Sequence, residues 1–101
     1  ITVSFSASSV SGNITVKGTN TCGNGTTSAN FAVTVNPLPA AAGTITGSST
    51  VCQGQTGVVY TVPSIVNATG YTWTLPTGAS ITSGTNTNSI TVSFSSSAVS
   101  G

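Results

Sequence analysis

The sequence predicts an all-β fold, a sandwich of short antiparallel strands repeated in tandem. Three observations carry this expectation. The 101 residues include 20 Thr and 17 Ser, and Thr, Val and Ile favour pleated, half-buried surfaces. Apolar side chains alternate with polar ones in short runs, and no window has a helical period. Residues 1–12, ITVSFSASSVSG, return at 90–101 as ITVSFSSSAVSG, differing only at Ala7/Ser96 and Ser9/Ala98. The offset is 89 residues, a domain-sized register that points to tandem repeats of about that length.

The elements follow in order. Residues two apart share one face of a strand. Ile1, Val3 and Phe5 do so, with Thr2 and Ser4 opposite. Ile14 and Val16 predict a second strand, and Phe31, Val33 and Val35 a third. Ile45 opens the second half, followed by Val58, Tyr60 and Val62, then Tyr71, Trp73 and Leu75. Ile81 marks a short strand, and Ile90, Val92 and Phe94 repeat the first one. Turn signals separate these runs at Ser11-Gly12, Asn24-Gly25, Gly54 to Gly57, Pro76-Thr77-Gly78 and Ser83-Gly84. Short strands at this spacing predict a sandwich.

Asn36-Pro37-Leu38-Pro39 reads as a linker, because proline cannot donate to a sheet ladder and stiffens the chain. Residues 1–35 then form the C-terminal part of one repeat, 36–39 the linker, and 40–101 the N-terminal part of the next. A complete repeat would run from about Ala40 to the equivalent of Val35 one offset further on. The duplicated strand is on this reading the same strand of two successive domains. The competing reading is one self-contained domain with two similar strands.

Composition prunes function. The chain has no Asp, Glu or His and one cation, Lys17, whereas an average domain is about 25% charged. Without a basic patch, binding to a nucleic-acid backbone has no electrostatic basis. No apolar run approaches the roughly 20 residues of a membrane-spanning helix. A hydroxyl nucleophile needs a base, and no carboxylate or imidazole is present, so no enzymatic activity and no cofactor are expected. Calcium wants carboxylate oxygens, so no metal site is expected either.

The stretches VCQGQTGVVYTV, ATGYTWTLPTGASITSGTNTNSITVSF, SGNITVKGTNTCGNG and VTVNPLP together resemble the PKD-like repeats of Bacteroidetes surface proteins. The Tyr71-x-Trp73 strand, the Pro76-x-Gly78 turn and the two cysteine contexts carry the resemblance, which covers nearly the whole chain. It implies an Ig-like antiparallel β-sandwich on the bacterial cell surface. Such repeats are strung into large adhesins, including gliding-motility adhesins exported by the type IX secretion route. The expected function is a stalk that spaces a distal binding region from the cell. Its partners would be neighbouring copies of the same repeat, with surface glycans reached by the distal region. The alternatives are a glycan-binding Ig-like module, or a non-covalent fibre subunit built by strand complementation.

Two cysteines in an extracellular β-domain suggest a disulfide. Cys22 and Cys52 lie on opposite sides of the linker, so each would pair within its own repeat. Cys52 would meet the Cys22 equivalent 89 residues beyond Cys22, and Cys22 a cysteine ahead of residue 1. A direct Cys22–Cys52 bridge and free thiols remain open. Tyr71, Trp73, Phe5, Phe94 and Phe31 are expected as core aromatics; a sugar-stacking platform of Trp73 with Tyr71 and Tyr60 is the alternative. Lys17 reads as an exposed edge charge, since an isopeptide bond needs a neighbouring carboxyl group to handle protons. Thr-x-Thr pairs at 44–46, 72–74 and 85–87 raise a flat ice-binding array as a minority reading. Asn13, Asn24 and Asn67 match the glycosylation sequon, a pattern that arises easily in a chain rich in Asn and Thr.

The charge census makes a direct prediction. With no Asp, Glu or His to titrate between about pH 4.5 and 7, folded and unfolded states bind equal numbers of protons, and the pH slope of stability is zero. Melting temperatures across that range, with and without EDTA, should agree. A drop of more than a few degrees with the chelator would overturn metal independence.

Overall fold

The computed structural model describes residues 1–101, with seven strands and no helix. The chain divides into two units, Ile1–Leu38 and Pro39–Gly101. No helix is long and apolar enough to cross a membrane.

In the first unit, β1 (Gly12–Ile14) pairs antiparallel with β4 (Phe31–Val33), placing Ile14 opposite Phe31 and Gly12 opposite Val33. Between them, β2 (Thr19–Asn20) and β3 (Gly23–Asn24) make a tight hairpin. Its turn lies at Thr21–Cys22, where Asn20 Oδ1 accepts the Cys22 N–H at 2.8 Å, an Asx turn. The β1/β4 pair is prolonged at one end by Ser28 N–H to Val16 C=O at 2.7 Å. At the other end Ser11 Oγ accepts the Val35 N–H at 2.9 Å. By the two-residue period of a strand, Ile14, Val16, Phe31, Val33 and Val35 share one face of this hairpin. Asn13, Thr15, Ala32 and Thr34 share the other. The hairpin is thus apolar on one face and polar on the other.

Two expectations fail in this unit. No strand precedes Gly12, although Ile1–Phe5 alternates as cleanly as any stretch of the chain. Phe5 and Phe31, expected in the core, are 59% and 70% exposed. A strand exists only with a backbone partner, and an apolar face is buried only by a second layer. The first unit gives Ile1–Phe5 no backbone partner, gives Phe31 a partner in Ile14 but no second layer, and buries none of its residues.

The second unit has both. β5 (Val58–Thr61), β6 (Ala79–Ser83) and β7 (Ser89–Phe94) form an antiparallel sheet in the order β5-β7-β6. Val92 stands opposite Val58 on one side and Ile81 on the other; Ile90 faces Tyr60, and Phe94 faces Ala79. Every one of these side chains falls on the same face. Val58, Ile90, Val92 and Phe94 form the buried cluster, with Val51, Trp73, Leu75 and Ala98 packed against it from the other side. Thr46 adds a single antiparallel bridge to Thr61, and the Val62 N–H continues the ladder to Asn88 C=O at 2.9 Å.

Tyr71–Leu75, expected as a strand, lies outside every sheet. Its burial nevertheless alternates between half-buried Tyr71, Trp73 and Leu75 and exposed Thr72 and Thr74. The side-chain pattern of a strand is present without its hydrogen-bonded neighbour.

Two glycines hold the connections. Gly78 has φ +86°, the left-handed value that the third position of a type II turn requires. The Ala79 N–H closes that turn onto Pro76 C=O at 3.1 Å. Gly84, at φ +81°, starts the β6–β7 connection, and a Cβ there would run into the Ser89 carbonyl.

Candidate functional site

No group of three or more metal-ligating side chains lies together, and the site with the most built geometry is the layer that covers the sheet. Tyr71, Trp73 and Leu75 alternate along one half-buried face of the segment, and Trp73 and Leu75 pack against the cluster of Ile90, Val92 and Phe94. The polar tips of the aromatics are spent inside the chain. Trp73 Nε1–H donates to Thr87 C=O at 2.8 Å. Tyr71 Oη accepts the Ile65 N–H at 3.0 Å, and Tyr60 Oη–H donates to Ser48 C=O at 2.8 Å. A buried aromatic normally ties its polar end to a partner in this way.

The clamp that fixes this layer was missed from sequence. Asn86, at φ +64°, accepts the Tyr71 N–H on its Oδ1 at 2.8 Å. Neighbouring Thr87 accepts from Trp73 through its carbonyl, while its single hydroxyl proton is shared between the carbonyls of Gly84 and Ser89, 2.6 and 2.7 Å away. The β6–β7 turn therefore does two things: it reverses the chain and pins the covering segment. The one available signal was Asn within a Gly-Thr-Asn-Thr turn, since Asn tolerates the left-handed region.

Phe94 is buried beneath the covering layer. Phe5 lines a shallow groove with Ser6, Ser9, Val35 and Leu38. No strand flanks Phe5, whereas Phe94, the same letter of the duplicated stretch, is enclosed where β7 is paired. Cys22 and Cys52 are both exposed free thiols and do not bond to each other. Cys52 sits at a tight turn, its N–H held by Gln55 Oε1 at 2.9 Å. Lys17 is exposed. None of the three Thr-x-Thr pairs lies in the three-stranded sheet, so they form no flat array there. The sequon residue Asn67 occupies a left-handed turn position at φ +65°.

A one-faced antiparallel sheet in the order β5-β7-β6, closed by an aromatic segment from the opposite layer, defines an immunoglobulin-like β-sandwich module. The chain belongs to the PKD-like domain family, which matches residues 38–101. No curated protein and no solved structure matches it. Domains of this family are typically extracellular and non-catalytic.

Trp73→Ala should destabilise the second unit by about 2–4 kcal/mol, toward the low side of an aromatic core truncation because the ring is half-buried. Urea midpoints of the two proteins measure it. An unchanged midpoint would remove Trp73 from the core and return it to ligand binding.

Proposed function

We propose that this chain is a structural repeat of a large secreted cell-surface adhesin, part of a stalk that holds a distal binding region away from the cell. One observation carries the reading. The same strand sequence occurs 89 residues apart, buried as Ile90–Phe94 and exposed as Ile1–Phe5. In a tandem array, the strands of preceding residues cover the exposed copy. Residues 1–35 are then the end of one repeat, 36–39 the linker, and 40–101 the beginning of the next. The resemblance to Bacteroidetes repeats makes a gliding-motility adhesin exported by the type IX route the parent class.

The same phase gives the cysteines their partners. Cys52 bonds the equivalent of Cys22 in its own repeat, and Cys22 bonds a cysteine of the repeat before. Such a bridge spans a long loop and would contribute roughly 4 kcal/mol per domain in the chain-entropy model. That matters in a protein with no carboxylate for salt bridges or calcium. A hydroxyl-rich, nearly uncharged surface stays hydrated and is insensitive to ionic strength. Glycans belong to the distal region, because the aromatics of the second unit turn inward.

The intact mass of the native protein under reducing, denaturing conditions tests the array. A chain many times larger than the 9.8 kDa of these residues is expected. A species near that mass would overturn the covalent stalk.

A further inference from the structure

We infer that the Tyr71–Leu75 edge of one copy is completed by the Asn13–Val35 hairpin of a second copy of this chain. Four observations converge on this pairing; the last two rest on the repeat phase proposed above, and the first two stand without it.

The edge is unfilled. The main-chain groups of Thr72 through Leu75 make no hydrogen bond within the chain. A run of free N–H and C=O groups is a template for another strand. Beside it lies a groove of about 290 Å³ lined by Ile45, Val62, Ile65, Ala68 and the two aromatics.

The hairpin is unfilled in the complementary sense. Its backbone is paired, but the face carrying Ile14, Val16 and Phe31 is open, with Val16 and Phe31 each 70% exposed. A unit of 38 residues with no buried side chain is too small to bury a core alone.

The strand count fits. The second sheet of an immunoglobulin-like sandwich takes three strands, one of them from the middle of the domain and two from its end. The second unit supplies the covering segment Tyr71–Leu75, and β1 with β4 supplies two.

The register fits as well. The twelve-residue duplication makes Gly12 the equivalent of Gly101. Gly101 sits against Pro76, where a Cβ would stand 3.0 Å from the proline Cβ. Residues following Gly12 in sequence, placed after Gly101 in space, would start at the Pro76 end of the edge. They would run back antiparallel along Leu75 to Tyr71, with Ile14 and Val16 joining the aromatic layer. No charge opposes the contact, because the two faces contain no ionisable carboxylate or amine. Donor and acceptor are different surfaces, so the contact is head-to-tail and propagates into linear chains.

Sedimentation of the whole 101-residue chain over a roughly 100-fold concentration range tests this. Mass should climb from monomer through a ladder of multiples, and the emission of Trp73, the sole tryptophan, should move to shorter wavelength in step. Val16→Asp and Phe31→Asp, at exposed positions, should each weaken association at least about tenfold, the effect of 1.4 kcal/mol. A chain extended after Gly101 by a copy of residues 13–35 supplies the hairpin in cis and should stay monomeric. A wild-type chain that is monomeric throughout would overturn the proposal. So would association that leaves Trp73 emission unchanged, survives either aspartate, or persists in the extended chain.

Discussion

Everything ordered in the second unit depends on strand β7 being paired on both sides. Val92 is 0% exposed and Ile90 1%, and each sits opposite an apolar residue of a neighbouring strand. Backbone pairing and apolar burial are not separable here. The ladders to β5 and β6 bring Val58, Tyr60, Ala79 and Ile81 into one plane with Ile90, Val92 and Phe94. Only then is there a continuous surface for Tyr71, Trp73 and Leu75 to cover. Burying one aliphatic side chain is worth about 1.5–3 kcal/mol, so a cluster of this size balances the entropy of ordering one short sheet and little more.

That narrow balance explains why the chain is uneven. Ile1–Phe5 has the same letters as Ile90–Phe94, yet no β5 or β6 flanks it, and it forms no strand. The hairpin of β1 and β4 satisfies its backbone but not its apolar face. In both cases the local sequence is adequate and the partner surface is lacking. A PKD-like module with no charge pairs has few other sources of stability, which places the weight on layer completion.

Much of this was legible in the sequence. Alternation located β5, β6 and β7, because each is half-buried and its period of two follows directly from facing one core. The Pro76-Thr77-Gly78 turn and the Gly84 connection were legible because left-handed backbone calls for glycine. What alternation could not report is pairing. It predicted strands at Ile1–Phe5 and Tyr71–Leu75, where the side-chain pattern exists but the hydrogen-bonding neighbour does not. It likewise placed Phe5 and Phe31 in a core that their unit does not build. The clamp of Asn86 and Thr87 on the aromatic segment was invisible, since it joins residues 14 or 15 positions apart through single polar contacts. The short hairpin at Thr19–Asn24 carries no apolar signal at all.

One pentapeptide takes two states according to what flanks it. Residue-resolved amide hydrogen exchange on the dilute 101-residue chain measures this directly. Val92 and Phe94 should be protected with the global stability of their unit, at least about 1,000-fold over the unfolded rate, while Val3 and Phe5 exchange near the unfolded rate. Equal protection of the two copies would contradict the account.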